Sequence, residues 1–207
     1  MKKLFLASSF KDVANLLPDF AEEDLKGKTV TFIPTASIPE TVKFYVGSGK
    51  KALEKLGLTV DELELTKAST EEISTKLCKN DYIYIAGGNT FFLLQVLKKT
   101  GADKVLTNEI LSGKLYIGES AGSMIVSPNI EYAKGMDNFK KAPGLENFSA
   151  LQIVDFYPLP HYTNFPFKKA VDKIISEYAS NLKLNPISNG QVITVRGEDI
   201  QVVEKNK

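Results

Sequence analysis

The sequence is poor in the residues that build disulfides, metal clusters and proton-transfer sites. Its 207 residues include one cysteine, Cys78, one histidine, His161, and no tryptophan. A single cysteine excludes an internal disulfide and a cysteine-based metal cluster, and it favours a reducing compartment. We therefore expect a protein that uses neither a metal nor a cofactor.

The chain also lacks a surplus of charge of one sign and any long apolar run. Twenty-six Lys and Arg residues face 25 Asp and Glu residues, for a formal net charge of +1. No basic surplus exists to neutralise phosphates, which argues against nucleic acid as a partner. The apolar run near the first residue meets charge at Lys11 and is too short for a signal peptide or a membrane helix. These absences predict a cytoplasmic protein that does not bind membranes, and they favour a small molecule or a peptide as the substrate.

What the sequence does contain is a regular alternation of short apolar runs and helical patterns. The 43% of hydrophobic residues can supply a core, and the length suits a single domain over residues 1–207. Runs without polar alternation are typical of strands that are buried on both faces of a mostly parallel sheet. The pattern predicts strands at Lys3–Ala7, Thr29–Ile33, Thr59–Leu65, Asp81–Ile85, Lys114–Ile117 and Gln152–Asp155, with a closing hairpin from Gln191–Val195 and Ile200–Val203. The fold class is α/β, with three layers and helices on both faces of the sheet.

The segment from Gly118 to Gly122 carries the main candidate for chemistry. A short apolar strand runs directly into Gly-Glu-Ser-Ala-Gly and then into the start of a helix. This order is that of a nucleophile elbow, in which a serine sits on a strained turn and glycines let strand and helix approach closely. We predict that Ser120 is a nucleophile and that the Ala121 N–H stabilises an oxyanion. The alternative is a glycine-rich turn in which Ser120 caps a helix.

A glycine pair at the end of another predicted strand is the second candidate. Gly87 and Gly88 expose backbone N–H groups, and Gly88 is a candidate for the second oxyanion donor. Asn89 follows at the same edge as a candidate for substrate binding or for capping the next helix. The pair could instead form an anion cradle or a plain tight turn.

If a histidine activates Ser120, that histidine is His161, because no other exists. A lysine-assisted serine is the alternative. The acid that would orient His161 is open among three carboxylates. Asp137 lies on an irregular segment between serine and histidine and is favoured over Asp155, while Glu119 adjoins Ser120 but should point elsewhere. The order Ser–Asp–His agrees with an α/β-hydrolase, but the 41 residues from Ser120 to His161 leave too little room for that fold.

Three segments together resemble the peptidase E family of aspartyl dipeptidases and cyanophycinases. They are AGGNTF from Ala86, YIGESAGS from Tyr116 and PHYT from Pro160, and the segment FIPTA from Phe32 is also similar. The resemblance spans most of the chain, with the motifs in the family's order. It implies a bent, mostly parallel sheet that is similar to class I glutamine amidotransferases and to flavodoxin, with serine in place of cysteine.

The resemblance also implies a serine peptidase that hydrolyses short peptides, with Ser120 attacking, His161 as its base, and the Gly88 and Ala121 N–H groups at the oxyanion. Asp137 falls near the family's proposed acid. The chain departs from the family after His161, where aspartyl dipeptidases carry an arginine and this chain has Lys168 and Lys169 instead. A preference for N-terminal aspartate is therefore open. The sequence is compatible with a homodimer. The rival hypotheses are an esterase or thioesterase with the same nucleophile and a non-catalytic, flavodoxin-like binding protein.

Overall fold

The computed structural model describes residues 1–205, so the last two residues of the predicted domain lie outside the described part. Its central sheet contains seven strands, and two further strands pair separately. In chain order the nine are β1 (Lys3–Ala7), β2 (Thr29–Ile33), β3 (Thr59–Glu62), β4 (Tyr82–Ile85), β5 (Leu115–Glu119), β6 (Tyr157–Leu159), β7 (Leu184–Pro186), β8 (Gln191–Arg196) and β9 (Asp199–Glu204).

The large sheet has the spatial order β3-β2-β4-β5-β1-β8-β9. The first five strands in this order run parallel to one another. Strand β8 pairs antiparallel with β1, and β9 completes the predicted hairpin with β8. The mostly parallel α/β fold that the sequence predicts is confirmed.

Helices cover both faces of this sheet. They are α1 (Phe10–Val13), α2 (Leu17–Ala21), α3 (Phe44–Lys55), α4 (Thr70–Lys79), α5 (Thr90–Thr100), α6 (Ala102–Ser112), α7 (Ala121–Met124) and α8 (Lys168–Tyr178). Two apolar clusters lie between sheet and helices. One contains residues of α4, α5, α6 and α8, and the other contains residues of α1, α2 and α3. Within the described residues, no helix combines the length and apolar character that crossing a bilayer requires.

Strand β1 shows why the strand runs lack polar alternation. Its side chains point alternately to the two faces, so Leu4 and Leu6 join one apolar cluster while Phe5 and Ala7 join the other. All four side chains are fully buried. A strand in this position needs apolar residues at every step, and this explains why the central strands could be recognised from the sequence.

The prediction of a strand at Gln152–Asp155 was wrong. Gln152 has a positive φ of 56°, and the neighbouring N–H groups donate to Ile125 and Val126 rather than to a strand of the sheet. The strand lies further on, at β6, and pairs with β7 in a small parallel sheet of its own. Strand β3 also ends at Glu62, three residues before the predicted boundary. Strand β6 leads the chain to His161.

Candidate active site

The carboxyl ends of β1, β4 and β5 meet at one edge of the sheet and open into a cleft of about 590 Å³. This is the edge at which open α/β sheets place their ligands. The loops after these strands contribute Ser8 and Ser9, Gly87 to Asn89, and Ser120 to its lining. His161 also lines the cleft, so the motifs at Gly88, Ser120 and His161 all reach one cavity.

Ser120 occupies a sharp turn between β5 and α7. Its backbone has φ 49° and ψ −106°, a strained conformation for a residue with a side chain. A Cβ at Gly118 would lie 2.6 Å from the Gly122 oxygen, and a Cβ at Gly122 would lie 2.2 Å from the Ile85 oxygen. Only glycine fits at either position, so the spacing of the motif follows from the close approach of strand and helix.

The Ser120 hydroxyl and the His161 imidazole lie within hydrogen-bond distance. The Oγ–Nε2 distance is 3.0 Å. His161 has a positive φ of 65°, and its backbone N–H donates to the Ser8 hydroxyl at 2.9 Å. Its ring stacks on Phe167, with centroids 4.7 Å apart. These contacts hold the ring against the turn after β5.

The partner of the other imidazole nitrogen is an amide. His161 Nδ1 lies 2.9 Å from Oδ1 of Asn189, a residue that sequence reasoning missed. Asn189 precedes β8, and its backbone N–H donates to the Asn164 side chain at 2.8 Å. With an amide oxygen at Nδ1, the imidazole carries its proton there and leaves Nε2 free to accept the Ser120 proton.

None of the three predicted carboxylates contacts His161. Asp137 Oδ2 instead accepts hydrogen bonds from the Thr90 N–H at 2.8 Å and the Thr90 hydroxyl at 2.6 Å. Asp155 is exposed and pairs with Lys183 at 3.2 Å. The structure therefore does not bring Asp137 or Asp155 to the imidazole, because the loop before β8 already occupies that place.

Glu119 points away from Ser120, as expected, into the interior. Its two oxygens accept hydrogen bonds from the Phe10 N–H at 2.9 Å and from the Tyr84 hydroxyl at 2.7 Å. Burial raises the pKa of this carboxyl, while the Tyr84 hydroxyl and the Phe10 and Gly87 N–H groups oppose the rise. Glu119, the last residue of β5, thus connects this strand with β4 and with the segment that follows β1.

The two predicted oxyanion donors have no acceptor within residues 1–205, since neither the Gly88 N–H nor the Ala121 N–H donates a hydrogen bond there. Gly88 has a φ of 139°, and a Cβ there would lie 2.2 Å from the Ala36 oxygen. Asn89 is buried and uses both ends of its amide inside the chain. Its oxygen caps α5 at Phe92, and its nitrogen donates to the Asn138 oxygen. Its predicted contact with a substrate stays a prediction.

Burial controls the charge of the two ionisable groups on which the sequence hypothesis rests. Burial lowers the pKa of His161, and the Asn189 hydrogen bond opposes this shift. Burial also raises the pKa of Asp137 to about 6, against the two Thr90 hydrogen bonds. A neutral imidazole at Nε2 can accept a proton, so the hydroxyl and ring together can carry out nucleophilic chemistry.

Comparisons with known proteins identify the family of the chain and several similar peptidases. The family model described as peptidase family S51 matches residues 4–203. An uncharacterized peptidase of Listeria monocytogenes is 60% identical over 200 residues, which cover 97% of both chains. An uncharacterized peptidase of Pasteurella multocida is 55% identical over 96% of this chain and 95% of its own. A peptidase E of a Nostoc species is 30% identical over 79% of this chain and 66% of its own.

Two solved structures are also similar. The crystal structure of a Listeria monocytogenes protein, provisionally named a peptidase E, covers 100% of both chains with a TM-score of 0.96 and 58% identity. The crystal structure of a peptidase from an acI-B1 Actinobacterium covers 99% of this chain and 88% of its own, with a TM-score of 0.75. The second is 23% identical, so it supports the fold alone.

Proposed function

The chain belongs to peptidase family S51 and is a serine peptidase, and from that premise we propose that it hydrolyses short peptides with Ser120 as nucleophile and His161 as base. The observation that carries this proposal is the 3.0 Å separation of Ser120 Oγ and His161 Nε2 on a strained turn. A serine hydroxyl is a weak nucleophile until a base at this distance takes its proton.

The reaction begins when Ser120 Oγ attacks the carbonyl carbon of the scissile amide. Its proton passes to His161 Nε2, and the carbonyl oxygen becomes an oxyanion. The N–H groups of Gly88 and Ala121 are our candidates for holding that oxygen, and each such donor contributes about 3 kcal/mol to lowering the barrier. His161 then gives its proton to the leaving amine, and an acyl-enzyme remains on Ser120.

Water completes the cycle. His161, neutral again, takes a proton from a water molecule that attacks the acyl carbon. The second tetrahedral intermediate then collapses: the bond between the acyl carbon and Ser120 Oγ breaks, His161 returns the proton to that oxygen, and the acid product leaves. In our proposal Asn189 is a positioning residue: its oxygen accepts a hydrogen bond from the Nδ1–H group and so keeps Nε2 facing Ser120. An amide orients the ring without the negative charge that a carboxylate would place beside an imidazolium.

Covalent labelling tests the proposal. An organophosphonate should add to Ser120, and mass spectrometry should locate the adduct there. Ser120→Ala should lower the kcat for a library of dipeptides by about 10⁴-fold or more. The matched control is Ser48→Ala, which removes another hydroxyl of the same cleft; within residues 1–205 this hydroxyl donates only to the Phe44 oxygen. Turnover by Ser120→Ala at the native rate, or labelling at a serine other than Ser120, would contradict the proposal.

A further inference from the structure

Asp137 uses one of its two carboxylate oxygens for hydrogen bonds within the described residues. Asp137 is fixed through Oδ2, which accepts both hydrogen bonds from Thr90, whereas Oδ1 has no hydrogen-bond partner among the described residues. Asp137 also lines the cleft that contains Ser120. A carboxylate that is anchored through one oxygen presents the other in a fixed direction, which is what recognition of a charged group requires.

The contacts of Thr90 place this carboxylate near the nucleophile. The Thr90 hydroxyl lies 3.8 Å from the sulfur of Met124, and the Met124 N–H donates to the backbone carbonyl oxygen of Ser120 at 3.0 Å. Tyr45 supports the same placement, because a Cβ at Gly87 would lie 3.3 Å from Ser120 and 3.6 Å from the Tyr45 ring. Burial raises the pKa of Tyr45 to about 12, and the charges of Glu40, Glu119 and Asp137 add smaller contributions to the rise.

The other charges of the cleft do not neutralise Asp137. Its lining includes two lysines, Lys11 and Lys141, against four carboxylates, Asp12, Glu40, Glu119 and Asp137. Lys141 is held by Glu40 at 2.9 Å and by the Pro39 oxygen at 3.0 Å. Lys141 is therefore already paired with another acid.

The lysines after His161 and the arginine of the chain lie outside this cleft, so among the described residues Lys11 is its one lysine without an ion pair. Lys168 and Lys169 are exposed and do not line it. The sequence has one arginine, Arg196, and this residue binds Glu22 at the end of β8 that is remote from the cleft. Several remaining lining residues are apolar, including Val42, Phe44, Met136, Phe165 and Phe167. Such a surface suits a neutral, apolar side chain.

We infer that Asp137 binds an ammonium group of the peptide substrate, and that this contact helps to select the substrates of the enzyme. The inference rests on the proposed function, because it assumes that a peptide occupies the cleft beside Ser120. The ammonium can be the α-ammonium at the peptide's N-terminus or the side chain of a lysine. The chemistry at Oδ1 is the same in both cases, a charge-assisted N–H···O hydrogen bond.

Binding without turnover provides the first test. In a Ser120→Ala background, isothermal titration calorimetry compares Leu-Leu, N-acetyl-Leu-Leu and N-acetyl-Lys-Leu. Acetylation removes the α-ammonium, so N-acetyl-Leu-Leu should bind about tenfold to a hundredfold more weakly than Leu-Leu. Recovery of the affinity by N-acetyl-Lys-Leu would identify a lysine side chain as the preferred source, and no recovery would identify the N-terminus. Equal affinities for all three peptides, or no detectable binding of any, would overturn the inference.

The carboxylate is tested by a matched pair of variants in the same background. Asp137→Asn keeps an oxygen that can accept from Thr90 but removes the charge, so the affinity ratio between free and acetylated Leu-Leu should fall to about one. Asp12→Asn removes an equal charge from the same cleft and should keep the ratio. A ratio that survives Asp137→Asn would overturn the inference.

Kinetics with Ser120 intact separate this role from that of a catalytic acid. If Asp137 binds the ammonium, Asp137→Asn narrows the ratio of kcat/KM between free and acetylated peptides. If it acts on His161 instead, both substrates lose the same factor in kcat and the ratio persists, which contradicts the inference. Phosphonate labelling of Ser120 tests the proposed function independently. If Ser120 is labelled but the protein shows no preference for a peptide with an ammonium group, the inference about Asp137 is wrong and the proposed function stands.

Discussion

Two walls of the cleft differ in how they use charge. The reacting wall, made of Ser120, His161 and Asn189, is held by neutral hydrogen bonds of 2.9 and 3.0 Å. The acidic wall, made of Glu40, Asp137 and Lys141, carries one ion pair and one carboxylate without a counter-ion among the described residues. The difference suggests a division of labour, in which geometry on one wall prepares the reaction and charge on the other selects the substrate.

The strongest way to break this division is to remove the base. His161→Gln should lower kcat by about 10⁴-fold, because glutamine can form a hydrogen bond but cannot carry the proton from Ser120 to the leaving amine. Peptide affinity should stay within about tenfold of the native value, since the acidic wall is intact. Steady-state kinetics and calorimetry measure the two quantities. A loss of affinity as large as the loss of kcat would show that the walls do not act separately.

Glu119 lies behind Ser120 and contacts the segments after β1 and β4, so its removal should damage both walls. Glu119→Ala leaves the Phe10 N–H and the Tyr84 hydroxyl without their acceptor and creates a cavity, and it should lower the free energy of unfolding by about 3 kcal/mol. Glu119→Gln is the matched control, because its oxygen can accept from Phe10 while its amide donates to Tyr84. It should lose less than about 1 kcal/mol. Denaturant unfolding distinguishes the two variants.

The native protein and the Glu119→Gln variant should also differ in how their free energy of unfolding depends on pH. Burial raises the pKa of Glu119, so the folded protein binds its proton more tightly than the unfolded chain does. This contribution to stability is present below the ordinary glutamate pKa and is lost as the pH rises through the raised pKa of the folded state. The free energy of unfolding of Glu119→Gln should lack that decline. An identical pH dependence in both proteins would contradict the assignment.

A smaller effect is expected when a negative charge is introduced into the reacting wall. In Asn189→Asp a carboxylate beside Nδ1 should raise the pKa of His161. Because catalysis needs the neutral imidazole, kcat/KM falls as the pH drops through this pKa, and the fall should move to higher pH than in the native enzyme. The control is Asp155→Asn, which changes an exposed residue paired with Lys183 and should leave the profile in place. An unmoved profile in Asn189→Asp would show that residue 189 does not act on the imidazole.

The parts of the site that are local in sequence could be predicted. Gly118 and Gly122 are required by contacts within one turn and with the adjacent β4, so the pattern around Ser120 encodes its geometry directly. His161 could be identified because no other histidine exists. The strands at the centre of the sheet could also be predicted from local sequence, because burial on both faces leaves a continuous apolar run.

The partner of His161 could not be predicted, because its position depends on the whole fold. Asn189 comes before Gly190, and an Asn-Gly pair ahead of a strand is typical of a turn. The third member of a serine–histidine site is usually a carboxylate, so the three predicted candidates for the partner of His161 did not include an amide. Asp137 was a reasonable choice by order along the chain, but Thr90 binds it elsewhere in the cleft.

The antiparallel course of β8 has a consequence for how the reacting wall is maintained. Because β8 runs against β1, it brings its first residues, not its last, to the edge where the parallel strands end. Pairing of Ala7 with Val192 therefore sets where residue 189 arrives. A slip of one position would displace it by about 3.3 Å, more than a hydrogen bond tolerates. The register of the closing hairpin thus sets the position of Asn189 beside the imidazole. Substitutions in β9 that shift this register should lower activity although Ser120, His161 and Asn189 are all still present.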